Sequence, residues 1–123
     1  MSKPSILIIE CDIPTIELYS GMLKQDYEVI QHSDASEIMN LLSRHTPDAI
    51  ILEPAIGNGL GWTIFATLHT LTREQSVPII VCTTSDERKR ALDLGAMAFL
   101  VKPVLPSVLR QTLSQLQLDQ SVG

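Results

Sequence analysis

The sequence predicts an α/β fold in which a parallel β-sheet is covered by helices on both faces. Two observations predict it. Short apolar runs alternate with segments of helical periodicity five times along the 123 residues, the pattern of parallel strands joined by helices. The runs are also continuously apolar (Ile6-Leu7-Ile8-Ile9, Ile50-Ile51-Leu52, Ile79-Ile80-Val81), as strands buried on both sides must be.

Strand one is Ser5 to Glu10. A helix from about Pro14 to Gln25 then brings Ile16, Tyr19, Met22 and Leu23 onto one face. Pro14 suits a first turn, where no N–H is needed, and Asp12 is placed to cap it. Strand two is Tyr27 to His32. The next helix, capped by Ser33 or Asp34 and running to about Arg44, turns Ile38, Leu41 and Leu42 inward, and Pro47 stops it. Strand three is Ala49 to Glu53, followed by the loop Gly57-Asn58-Gly59 and a helix from Gly61 or Trp62 to about Leu71. That helix carries Ile64, Phe65, Leu68 and Leu71 on one face. Strand four, Ile79 to Thr83, follows Pro78. A charged helix of barely two turns, Glu87 to Leu94, ends on Gly95 as a left-handed terminator. Strand five is Ala98 to Val101, and the last helix, Ser107 to about Leu118, turns Leu109, Leu113 and Leu116 inward. Asp119 to Gly123 reads as a tail or the start of a linker, leaving one domain with a core over about 5–118.

Right-handed crossovers leave few orders for five parallel strands, and the flavodoxin-like three-layer order 2-1-3-4-5 is the expectation. Ligands of such sheets bind outside the carboxyl ends of the strands, where the order reverses. That crevice collects the residues ending four runs: Glu10, Glu53, Thr83 and Lys102.

Composition narrows the function. Hydrophobic residues make up 45% and charged residues 19%, a profile for independent folding. A net charge of -5 argues against nucleic-acid binding by this chain. No run is long enough for a membrane span and no signal peptide is evident, so a cytoplasmic location is expected. No nucleophile-base pair, glycine-rich phosphate loop or acid-base carboxylate pair of an independent enzyme stands elsewhere.

With these residues in place, the chain resembles a response-regulator receiver domain over nearly its whole length. Receivers carry an acidic pair after strand one, a phospho-accepting Asp after strand three with a glycine eight residues on, a Thr or Ser after strand four, and Lys-Pro after strand five. Here Glu10 and Cys11 occupy the acidic pair, Glu53 the acceptor with Gly61 at the glycine, Thr83 the hydroxyl, and Phe99-Leu100-Val101-Lys102-Pro103 the closing motif. The resemblance implies two-component signal transduction and not enzymatic activity, a cis bond before Pro103, and an aromatic switch at Phe99. It also implies a protein partner (a kinase, an output domain or a second copy) on the face of helix four, strand five and helix five. The segment from Thr83 to Gly95 is a few residues shorter than is usual for the family, which should shorten or displace helix four.

The same resemblance makes two departures weigh heavily. In receivers a magnesium ion held by the acidic pair and the acceptor neutralises the phosphoryl group, whose oxygens the Lys and Thr bind. The extra methylene of Glu53 displaces the nucleophilic oxygen by roughly 1 Å, an error that costs on the order of a hundredfold. The Cys11 thiol is a poor partner for a hard cation. Asp12 restores the pair only if the register slips by one residue. The expectation is an atypical receiver not phosphorylated by the usual route and without a resident cofactor, Glu10, Asp12 and Glu53 being weak metal candidates. The alternative is a working phospho-acceptor with an irregular magnesium site; a phosphoryl-transfer enzyme is a third option. Glu53 itself has two readings. Its longer carboxylate reaches Lys102 and Thr83 and imitates a phosphorylated Asp, or it pairs with Lys102 only to offset charge.

Other residues have plainer readings. Cys11 and Cys82 lie at the ends of strands one and four, roughly 10 Å apart, too far for a disulfide, and read as small buried thiols. His32, His45 and His69 lack ligand spacing and read as surface or strand-end residues. Trp62 packs over the loop after Glu53 or anchors a partner. Asp86-Glu87-Arg88-Lys89-Arg90 reads as a solvated helix face whose basic end is open to a partner.

Overall fold

Strands β1 (Ser5–Ile9), β2 (Glu28–His32), β3 (Ala49–Leu52), β4 (Ile79–Thr83) and β5 (Ala98–Val101) form one parallel sheet in the order β2-β1-β3-β4-β5. Helices α1 (Ile13–Leu23), α2 (Ala35–Arg44), α3 (Gly61–Thr72), α4 (Arg88–Leu94) and α5 (Pro106–Val122) connect and flank it, with a 3-10 turn at Arg73–Gln75. The computed structural model describes residues 3–32, 35–56 and 60–122. The proposed caps Ser33 and Asp34, the loop residues Gly57, Asn58 and Gly59, and Gly123 lie outside the described residues, as do the side chains of residues 35, 36 and 117–122.

Alternation along the strands divides the core into two layers. Leu7, Ile9, Ile50, Leu52, Ile79, Val81 and Phe99 pack with Ile38 of α2, Phe65 and Leu68 of α3 and Ala91 of α4. Ile6, Ile8, Ala49, Ile51, Ile80 and Cys82 face Tyr19 and Leu23 of α1 and Leu109 and Leu113 of α5. The three central strands are buried along their length, which is why they read as unbroken apolar runs.

Several boundaries differ from the sequence reading. β1 and β3 end at Ile9 and Leu52, one residue before the expected Glu10 and Glu53. The carboxylates are thus freed from the pleat at the first position past their strands. Asp12 caps α1, accepting from the Thr15 N–H at 3.1 Å, and Pro14 occupies its second position. α5 continues to Val122, not Leu118, because no Gly or Pro interrupts it before Gly123. In α3 the inward positions are Gly61, Phe65, Leu68 and Thr72. Leu71, expected to be inward, is 49% exposed; the buried position beside it is Thr72, whose hydroxyl donates to the Leu68 carbonyl at 2.7 Å. The buried face of α3 thus ends one residue later than the apolar spacing suggests.

Two glycines place the elements around the crevice. A Cβ on Gly61 would overlap the Pro54 carbonyl, so α3 starts against the backbone that leaves β3. Gly95 ends α4 with a φ of 112°, a conformation costly for any residue with a side chain.

Candidate functional site

The register of the sheet sets up the site. Ile9 is level with Leu52, Leu52 with Val81, and Val81 with Phe99. The next residues along, Glu10 and Glu53, therefore emerge side by side, and the Glu53 N–H donates to the Ile9 carbonyl at 3.0 Å. The chain past β5 is held likewise, the Lys102 N–H donating to the Thr83 carbonyl at 2.9 Å. The Lys102–Pro103 peptide is cis.

Lys102 is the centre of the arrangement. Its Nζ lies 2.5 Å from Glu10 Oε1 and 2.9 Å from Glu53 Oε1. The Glu10 and Glu53 side chains are nearly enclosed, at 4% and 8% exposure, and that of Lys102 is 14% exposed. Burial by itself would lower the pKa of the ammonium, but hydrogen bonds to Glu10 and Glu53 more than offset this and raise it above the ordinary lysine value.

The remaining carboxylate oxygens are turned onto the backbone. Glu10 Oε2 accepts from the N–H groups of Cys11 and Asp12 at 3.0 and 3.1 Å. Glu53 Oε2 accepts from the Ala55 N–H at 3.1 Å. Asp12 caps α1 instead of bonding to this cluster, its Oδ2 accepting from both the N–H and the hydroxyl of Thr15; those bonds, the hydroxyl first, lower its pKa. Cys11 is exposed, not buried as expected, because the chain leaves the strand after Ile9 and Glu10 takes the inward position. Both cysteines are free, and Cys82 is buried.

Thr83 is buried at the end of β4, and its hydroxyl accepts a long hydrogen bond from the Ser85 N–H at 3.5 Å. Glu53 thus reaches Lys102, while its second oxygen goes to its own loop and not to Thr83. Phe99 is buried more deeply than a half-exposed strand aromatic, at 4% exposure.

A cavity of about 290 Å³ lies against Lys102, between Leu18 and Tyr19 of α1 and the Pro103-Val104 turn. A larger hollow of about 610 Å³, against His69, Arg73, Pro78 and Met97, is at the amino ends of the strands and contains none of the acids. Among the described residues, no three His, Cys, Asp or Glu side chains are grouped to hold a metal ion.

Two features had no local signal in the sequence. Arg88 lies over the Phe99 ring at 5.1 Å and Arg90 over the Trp62 ring at 4.6 Å; the run read as a solvated face is thus partly committed to aromatic contacts, and Trp62 packs under α4. At the other end of the sheet the Ser5 hydroxyl meets His45 Nε2 at 3.0 Å and Asp48 Oδ2 at 3.4 Å. Asp48 also accepts from the Ser5 N–H at 2.7 Å. The carboxylate is on the serine and not behind the imidazole, so this set ties the α2–β3 loop to β1 and lacks the wiring of a nucleophile triad.

The comparisons with known proteins agree with this fold. The model of the response regulator receiver domain matches residues 6–114. The chain is 26% identical over 108 residues to the phosphate regulon transcriptional regulatory protein PhoB of Escherichia coli strain K12, covering 85% of this chain and 47% of that protein. It thus spans about half the length of this curated relative. The chemotaxis protein CheY4 of Vibrio cholerae superposes with a TM-score of 0.81 at 25% identity, covering 93% of this chain and 98% of that one. A CheY-like receiver domain protein from Methanospirillum hungatei superposes with a TM-score of 0.86 at 22% identity, over 98% of both chains.

Proposed function

The chain belongs to the response regulator receiver domain family of two-component signalling, and from that premise we propose that it signals by binding protein partners, without phosphorylation by the usual aspartate and magnesium route. One observation carries the proposal: Lys102 already pairs with Glu10 and Glu53 at once. A cation entering the crevice would have to displace an ammonium held by two nearly enclosed carboxylates. It would also have to detach Glu10 from two backbone N–H groups, and the neighbouring side chain offers it a thiol. The donor set suits a fixed ion triad better than a hard divalent ion, so no resident cofactor is part of the proposal.

In this reading Glu53 offsets charge and fixes the loop after β3, and its bond to Ala55 in place of Thr83 speaks against full imitation of a phosphorylated Asp. The partner, a kinase, an output domain or a second copy, binds on α4, β5 and α5, where Leu94, Met97, Val101 and Val108 are exposed at 40%, 57%, 47% and 39%. The setting is the cytoplasm. Nucleic acid and membrane are not partners: the acidic balance supplies no phosphate-binding surface, and among the described residues no helix is long and apolar enough to cross a membrane.

The test is a small-molecule phosphodonor with magnesium, followed by intact-mass measurement. The expected result is no stoichiometric gain. A gain of one phosphoryl group per chain overturns the proposal in favour of a working acceptor with an irregular metal site.

A further inference from the structure

The hollow of about 610 Å³ at the amino ends of the strands has no residue in common with the ion triad. Its volume falls within the range of small-molecule sites, roughly 300–1,000 Å³. Val77, Pro78, Met97 and Leu116 make the apolar part of its wall. His69, Thr72 and Arg73 make another part; at spacings of three and four they share one stripe at the end of α3. The His69 ring is stacked on Phe65 with centroids 6.2 Å apart. It reaches Gly95, where a Cβ would strike it, and so closes the wall between α3 and α4.

The charge of this wall differs from that of the whole chain. The net charge is -5, yet among the described residues no Asp or Glu borders the hollow, and Glu74, next to Arg73 in sequence, is not part of the wall. Arg73 is also the arginine left without a task. Arg44 donates to the Asn40 carbonyl, Arg88 and Arg90 lie over rings, and Arg110 pairs with Asp26. Among the described residues Arg73 has neither an ion pair nor a hydrogen bond, and the His69 imidazole has no hydrogen bond. A guanidinium in that state grips a carboxylate or sulfonate through two parallel N–H bonds. The apolar wall beside it then takes the rest of such a molecule.

We propose that this hollow binds a small amphipathic monoanion, its acid group on Arg73 and its apolar body against Val77, Pro78, Met97 and Leu116. The site shares Met97 with the partner surface proposed above and is otherwise separate from it.

Anilinonaphthalene sulfonate is the probe, and neutral phenylnaphthylamine keeps its rings without the acid. Titrated into the full chain, the sulfonate should bind saturably at one site, at least about tenfold more tightly than the neutral analogue. It should also shift the amide resonances of Ser76, Val77, Gly95 and Met97. Arg73→Glu should weaken the sulfonate at least about tenfold and leave the neutral analogue within about twofold, and Arg73→Lys should keep most of the affinity. Displacement by decanoate or by naphthoate supports the site and tells a chain acid from a ring acid; displacement by neither overturns a carboxylate ligand. Equal affinity for the neutral analogue overturns the anion, and resonance shifts centred on Lys102 or spread over the surface overturn the site. If Arg73 only complements the carbonyl end of α3, Arg73→Glu lowers the melting temperature and leaves probe affinity unchanged, which overturns the proposal. Shifts of the same amides on dilution without probe assign the hollow to a second copy of the chain and overturn the small ligand.

Discussion

Glu53 and Lys102 meet at 2.9 Å although β4 lies between the strands that deliver them, and the lysine reaches further to Glu10, 92 positions away in sequence. One ammonium thereby joins the ends of β1, β3 and β5.

Removing that ammonium should be costly. Lys102→Met leaves two adjacent, nearly enclosed carboxylates without a cation, and should lower stability by about 3–5 kcal/mol in urea unfolding. Adding Glu10→Gln and Glu53→Gln to Lys102→Met should recover more than half of the loss. Full cost in the triple variant would assign the effect to packing.

The same group fixes a dependence on pH. Because the folded-state pKa of Lys102 is raised above the ordinary 10.5, its contribution is fully present below 10.5 and is lost as pH climbs through the raised value. The stability difference between wild type and Lys102→Met should hold level across mildly alkaline pH and shrink only above the ordinary lysine range.

Asp12 responds at the opposite end of the scale. Its pKa is lowered from 3.8 by the hydroxyl and N–H of Thr15, so capping of α1 is present above 3.8 and fades as pH falls through the lowered value. The protection of the Thr15 amide, measured against its intrinsic exchange rate, should fall on acidification to about pH 2, and Asp12→Asn, which keeps a capping oxygen, should remove that dependence on pH.

Restoring both acids should restore chemistry. Cys11→Asp/Glu53→Asp supplies the oxygens that the wild type lacks and shortens the acceptor, and should gain one phosphoryl group from a phosphodonor with magnesium under conditions in which the proposal expects none on the wild type. An inert double variant would show that the turn of Glu10 onto its own loop is sufficient to close the site.

Two glycines should respond with opposite signs. Gly21 has open space around its α-carbon within α1, and Gly21→Ala should stabilise by about 0.5–1 kcal/mol. Gly61→Ala drives a methyl into the Pro54 backbone and should destabilise by about 1–3 kcal/mol. Thermal unfolding of the pair checks both.

The sheet was legible because its central strands are covered on both faces and so appear as unbroken apolar runs; Ile50-Ile51-Leu52 alone carries most of that signal. Strand order followed from chain connectivity, and the gathering of Glu10, Glu53, Thr83 and Lys102 followed from strand order. What escaped the sequence depends on side-chain direction. That Cys11 points outward and Glu10 inward is decided by where the pleat ends, a matter of one residue. The contacts of Arg88 and Arg90 with rings on β5 and α3 are long-range and leave no periodicity, and the same holds for Ser5 with His45 and Asp48. The phase of α3 departs from the spacing at Leu71 because Thr72, a polar residue satisfied by the helix itself, takes the buried position.

The two thiols offer different handles to an experimenter. Burial pushes the Cys82 thiol up to about 12, which keeps it protonated and shielded from alkylating reagents at neutral pH, whereas Cys11 stands in solvent next to Glu10. A maleimide dye or nitroxide should therefore attach to the unmutated protein at a single position on the rim of the crevice, and the ion triad can be watched spectroscopically without engineering a cysteine.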